Sequence, residues 1–125
     1  MGYILHHAII VTDWDETRIP KAWAIAAELF TSDKPTATGH GLCLLSPIIR
    51  SPINGYQHFF IAPDGSKEGW AESDFFEAKR DEFLARLRAL DPDGVPAWVE
   101  VAYGSDDHCG TVSRHAWQRQ DQPKG

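Results

Sequence analysis

YILHHAIIVT, residues Tyr3 to Thr12, is the stretch on which the fold turns. Successive side chains of a strand point to opposite faces, so Leu5, Ile9 and Val11 share one side and Ile4, Ala8 and Ile10 the other. Both sides are apolar, which is the pattern of a central strand covered above and below rather than of a half-solvated one. A strand of this kind demands a layer of helices on one face and a second cover on the other.

Working outward, Asp13 to Thr17 is a polar break that offers helix caps. Pro20 suits the first turn of a helix, where its missing N–H would have had no partner. Trp23, Ala26, Ala27 and Phe30 follow the i, i+3, i+4, i+7 rule, so this helix lays one stripe on the sheet and ends near Thr31, before the connection SDKPTATGHG. Leu42 to Arg50 (LCLLSPIIR) reads as a strand, and Pro47, which cannot donate to a ladder, assigns it to an edge. Asn54-Gly55 is a strong turn signal, so Tyr56 to Ala62 (YQHFFIA) returns as the second arm of a hairpin. Pro63-Asp64-Gly65 closes that arm.

The second helix has Asp74 as N-cap with Glu77 three residues on, a capping-box spacing. Its buried stripe is Phe76, Phe83, Leu87 and Leu90, with Glu82 and Arg86 paired on the solvated side. Asp91-Pro92-Asp93-Gly94 stops it. Ala97 to Tyr103 (AWVEVAY) alternates Trp98, Glu100 and Ala102 against Val99, Val101 and Tyr103, a strand with two distinct faces. Cys109 to Trp117 has room for a short further edge strand, and Gln118 to Gly125 is a polar tail.

The order strand, helix, strand, strand, helix, strand is the split βαβ arrangement. The expected fold is therefore a single α+β domain of ferredoxin-like (βαββαβ) type over residues 1–117. It has a four-stranded antiparallel sheet with two helices on one face, and a flexible tail over 118–125. In that topology the other face of the sheet is open, yet the strand at Ile4–Val11 is apolar there too. A homodimer packed sheet to sheet is the simplest cover, closed two-fold dimers being the commonest oligomers.

With 125 residues, the chain is long enough to bury a core without disulfide or metal, and 42% apolar with 24% charged residues is an ordinary globular composition. A net charge of -6 argues against extended nucleic-acid binding, which needs clustered Lys and Arg. Cys43 and Cys109 have no metal or disulfide spacing, and Met1 to Thr12 has neither basic leader nor membrane-length apolar run. These features point to the cytoplasm, with no membrane association and no cofactor.

Three groups of residues are chemical candidates. If the strands at Tyr3–Thr12 and Tyr56–Ala62 are neighbours, His7 or His6 can stand near His58 on a common face, and Glu100 of the strand Ala97–Tyr103 can approach the same patch for acid–base or metal chemistry, the basis of a small metal- or histidine-dependent hydrolase. His40, His108 and His115 complete the histidine set. The loop Asp64 to Trp70 offers glycine N–H groups, Lys67 and the Trp70 ring to a nucleotide-like anion, although the order of a P-loop is absent. Arg50 and Arg114 are possible anion partners. The run Ser105-Asp106-Asp107-His108 is acidic but reads as a solvated loop. The 2H phosphoesterases also use ferredoxin-like lobes, but they need two H-x-T/S motifs, and His7, His58 and His115 all lack the hydroxyl residue two positions on.

HHAIIVT, PIIRSPINGYQHFFIAPDGSKEGW and WVEVAYGSDD together resemble small proteins of bacterial, phage and prophage genomes, over most of residues 3 to 107. The resemblance carries no established activity and transfers no catalytic residue. It implies an accessory role, such as inhibition of a host defence system. The expected function is a non-enzymatic binding protein, a homodimer that captures a partner protein or a small anionic ligand through Arg50, Tyr56, His58, Lys67, Trp70 and Trp98. The hydrolase built on His7, His58 and Glu100 is the alternative.

Overall fold

A computed structural model describes residues 4–35, 41–67, 69–90, 95–104 and 110–116. Nine elements follow one another: β1 (His6–Asp13), α1 (Arg18–Phe30), β2 (Thr31–Pro35), β3 (Gly41–Cys43), β4 (Ile49–Arg50), β5 (Gln57–Ile61), α2 (Ala71–Arg88), β6 (Ala97–Tyr103) and β7 (Thr111–His115). The fold is α+β, with two helices against a five-stranded sheet in the order β4-β5-β1-β6-β7. Every pairing in that sheet is antiparallel.

β1 sits at the centre, as its apolar pattern requires. Ile9 stands between Ile61 of β5 and Glu100 of β6, and Val11 between Phe59 and Trp98. These residues face the helices and, except for Glu100, form the core with Ile19, Ala22, Ala26, Leu29 and Phe30 of α1 and Phe83, Leu84 and Leu87 of α2. Phe83 is fully buried and meets Phe30 and Phe59 edge-on, with ring centroids 6.2 and 6.4 Å away. That is the favoured geometry for aromatic pairs.

Several expectations need correction. The main sheet has five strands rather than four, because β7 pairs with β6 through Glu100↔Arg114 and Ala102↔Thr111, with a register shift between Glu100 and Val101. Leu42–Arg50 is not one strand. Gly41–Cys43 pairs with β2 in a separate two-stranded sheet, Leu45 makes an isolated bridge to Ile61, and only Ile49–Arg50 joins the main sheet. The interruption falls at Pro47. On its N-terminal side the Ser46 N–H donates to the Phe60 carbonyl, while Ser46 Oγ accepts the Phe60 N–H, so a side chain replaces the carbonyl that a continuous ladder would offer.

Thr31–Pro35, expected as a plain connection, is β2. Of the stripe expected on α1, Ala26 and Phe30 are buried and Trp23 and Ala27 pack half-buried against the core, while Ile19, Ala22 and Leu29 join the buried face; Trp23 donates Nε1–H to the Ser46 carbonyl at 2.9 Å. Helix α2 begins three residues before Asp74, with Trp70 as N-cap, so Asp74 and Glu72 lie in its first turn, where negative charge suits the helix dipole. Its Glu82–Arg86 pair is present at 3.6 Å, and Arg86 also bonds Glu28 of α1 at 2.9 Å. Hydrogen bonding to Arg86 holds the Glu28 carboxyl below its ordinary value.

Two turns show why glycine stands where it does. Asn54 and Gly55 both have positive φ, as the hairpin between β4 and β5 requires. Gly104 has φ +109°, and a Cβ there would come 2.5 Å from the His6 ring. The stop signal Asp91–Gly94, His40, His108, Cys109, the acidic run Ser105–His108 and the tail 118–125 lie outside the described residues. Among the described residues, no helix is long and apolar enough to cross a membrane.

Phe83→Ala removes the residue on which both helices and β5 meet, and should cost about 3–5 kcal/mol in urea unfolding. Phe75→Ala, on the exposed side of the same helix, should cost under about 1 kcal/mol. Equal losses would show that the core is not centred on Phe83.

Candidate functional site

The strand pleat gives the main sheet two faces of opposite character. The face away from the helices carries His6, Ala8, Ile10 and Thr12 of β1, His58 and Phe60 of β5, Val99, Val101 and Tyr103 of β6, Ile49 of β4, and Val112 and His115 of β7, as the registers require. None of these is Asp, Glu, Lys or Arg. Ile10 and Phe60, directly opposite each other, are each 42% exposed although they stand in the middle of the sheet. Around them Ala8, Ile49, His58, Val101 and Tyr103 complete a shallow apolar depression of about 370 Å³.

His58 is the polar element of that depression. Its Nδ1 is 2.9 Å from Thr12 Oγ1 and its Nε2 is 2.6 Å from Ser51 Oγ. In the neutral ring one nitrogen donates and the other accepts, and either hydroxyl can supply the complementary role. Both ring nitrogens are thus satisfied within the chain. At the far end of the same strand face, His6 lies against Tyr103 with ring centroids 5.3 Å apart. Six residue steps along β1 lead from His6 to Thr12, roughly 20 Å of strand.

The helix face ends in a buried ionic cluster rather than in more core. Glu100, 3% exposed, accepts two hydrogen bonds from Arg114 of β7, from Nε at 2.8 Å and Nη2 at 3.0 Å. Arg114 Nη1 also donates to Asp81 at 2.8 Å. Glu100 first, then Asp81, hold the Arg114 guanidinium even more firmly protonated than a free arginine. Arg80, itself buried on α2, has its Nε 3.3 Å from Glu100 Oε2 and its Nη1 3.6 Å from Asp64. A carboxylate shared by two guanidiniums satisfies both signs of charge out of water, which is the condition for burying them at all. A second buried pair closes the other end of β1, where Arg18 donates to both oxygens of Asp13 at 2.6 and 3.1 Å.

The residues expected at a site distribute as follows. His7 and Glu100 share the helix face, whereas His58 lies on the opposite face, so these three do not converge on one point. Among the described residues no group of three or more His, Cys, Asp or Glu is arranged to hold a metal. Trp98 is 3% exposed in the core, with the Arg88 guanidinium 5.5 Å over its ring, and offers nothing to an external ligand. Arg50 is exposed and 3.5 Å from Glu16. Tyr56 is exposed just before β5 begins. Lys67 stacks its ammonium 5.4 Å from the Trp70 ring, and the preceding turn is closed by Asp64, which accepts from the backbone and hydroxyl of Ser66. Lys67 also bridges to Ile4, so this loop lies beside the start of β1.

Sequence reasoning missed Arg80 and Ser51, and it read Asp64 as part of an anion loop rather than as a neighbour of Arg80. Arg80 was the one with a signal: it stands at i−4 and i−7 to Leu84 and Leu87, a charge on the buried stripe of a helix, where a partner must exist.

Glu100→Gln leaves two guanidiniums around a neutral amide and should destabilise the fold by about 3–5 kcal/mol in urea unfolding. Asp81→Asn, which removes only the exposed partner of Arg114, should cost under about 1 kcal/mol. If the two substitutions cost the same, the cluster does not depend on Glu100.

No family model, no curated protein and no solved structure matches the chain.

Proposed function

We propose that the chain is a ferredoxin-like domain with one added edge strand, and that it works as a non-enzymatic binding module through its open sheet face, first of all by pairing with a second copy of itself. The observation that carries this reading is that, among the described residues, the positions of β1 and β4–β7 on that face hold no Asp, Glu, Lys or Arg, in a protein whose net charge is -6. Two copies repel one another through their acidic surfaces, so the uncharged face is the approach that costs least electrostatic work. Exposed apolar patches of this kind on small domains mark interaction surfaces. A stable interface buries about 800 Å² on each partner, and the face of a five-stranded sheet is of that order.

The same observation favours an apolar partner over a nucleotide-like anion on this face, since no fixed cation stands among the described positions at its centre. Lys67, which bridges to Ile4 beside the start of β1, suits a polar rim around an apolar centre. An accessory role, in which the dimer or an exposed part of the same face engages a host protein, fits this surface. The hydrolase alternative keeps only His7 and Glu100 on one side of the sheet, with Glu100 already bonded to Arg114.

Sedimentation velocity at tens of micromolar should find a dimer, and Phe60→Glu should convert it to a monomer with an unchanged circular dichroism spectrum. A monomeric parent protein, or a Phe60→Glu variant that remains dimeric, would remove the proposal.

A further inference from the structure

On the other side of the sheet, α2 and the β6–β7 edge enclose a polar cavity of about 350 Å³, a size within the range of small-molecule sites. Ser73, Glu77 and Arg80 of α2 line it from one side, and His7, Glu100, Ser113 and Arg114 of the sheet from the other. Ser73, Glu77 and Arg80 are spaced i, i+4, i+7, so one face of the helix is turned to the cavity. The fixed charges lining it are two guanidiniums and two carboxylates, which cancel.

They are not equally engaged. Glu100 and Arg114 hold each other through two hydrogen bonds and Arg114 has Asp81 besides, so neither has much left to offer. Arg80 is different. Its side chain is 7% exposed, its carboxylate neighbours are 3.3 and 3.6 Å away without a hydrogen bond to either, and its Nε is buried with no hydrogen-bond partner. Buried guanidinium donors are ordinarily satisfied, so a donor group left in this state at a cavity wall points to a missing acceptor. Glu77, one turn away and exposed at the rim, has no hydrogen bond or ion pair among the described residues.

We propose that this cavity binds a small zwitterion that carries a carboxylate and an ammonium group close together, the chemistry of a free α-amino acid. The carboxylate meets Arg80 and the ammonium meets Glu77. Residues spaced i, i+3 have Cβ atoms about 5–6 Å apart, which suits two opposite charges separated by a single carbon. The hydroxyls of Ser73 and Ser113 supply neutral donors and acceptors on either side. A simple anion would leave Glu77 without a partner, and a simple cation would leave Arg80 as it is. The site is separate from the open sheet face and stands or falls independently of it.

The test is a ¹⁵N–¹H NMR titration of the full chain with glycine, L-serine and L-glutamine, each beside its N-acetyl and carboxamide derivative, with acetate and inorganic phosphate as anion controls. At least one free amino acid should give saturable shifts at the amides of Ser73–Arg80 and Ser113–Arg114. Its two blocked derivatives should bind at least about tenfold more weakly, since each loses one charge-assisted contact. Glu77→Gln, at an exposed position where the fold is safe, should weaken binding to a similar degree without moving the thermal unfolding midpoint. Arg80→Lys keeps the buried charge but loses the fork, and should also bind more weakly. The proposal is overturned if acetate or phosphate saturates the same amides as tightly as the amino acids. It is equally overturned if Glu77→Gln binds undiminished, or if none of the three amino acids gives saturable shifts.

Discussion

Strand β1 must satisfy two surfaces at once. Because its side chains alternate, Ile9 and Val11 go under the helices while Ala8 and Ile10 go to the opposite face, and both sets are apolar. The first requirement is met inside the chain: α1 and α2 close over Ile9 and Val11, and Phe59, Ile61 and Trp98 from the neighbouring strands complete the layer. The second is not met by any described element, since Ile10 and Phe60 remain 42% exposed at the middle of the sheet. A one-residue slip of β1 against either neighbour would exchange the two faces, so the register that builds the core also sets what the open face displays.

The helix side of the sheet changes character along its length. Trp98 belongs to the core, but two residues later on the same face of β6 Glu100 is buried among guanidiniums, so β6 carries the core into an ionic cluster without leaving the sheet. That cluster ties α2 to β7 through Glu100, Arg80, Arg114 and Asp81. Charged groups buried as Glu100 and Arg80 are contribute little net stability compared with apolar packing, yet removing either one is costly, which holds their geometry in place. Rigidity is what a small polar cavity beside them needs if it is to keep its shape.

How much of this was legible in the sequence follows from how local each signal is. AWVEVAY reads as a strand by alternation alone, and its inward set, Trp98, Glu100 and Ala102, is the one the structure buries. The two-sided apolar character of β1 was equally plain, and so was the Asn54-Gly55 turn. β2 was not, because Thr31–Pro35 is TSDKP, with no apolar alternation and a proline, and it exists as a strand only through its partner Gly41–Cys43. The split of Leu42–Arg50 depends on Ser46 standing in for a backbone acceptor beside Pro47, a tertiary substitution that no propensity encodes. At the candidate sites the histidines were visible but their faces were not. Strand parity separates His7 from His58 only once the register Thr12↔His58 is known. The pairing of Glu100 with Arg114 likewise passes through an irregular register next to Glu100.

In the proposed dimer the apolar open face is buried against a second copy in solution. Solvent paramagnetic relaxation of methyl groups, measured across a dilution series, tests it residue by residue. Burial in the dimer should make Ile10, Val99 and Val101 as protected as Ile9 and Val11 at high protein concentration and accessible on dilution, while the two core residues stay protected throughout. Ile10, Val99 and Val101 methyls fully accessible at every concentration would contradict it.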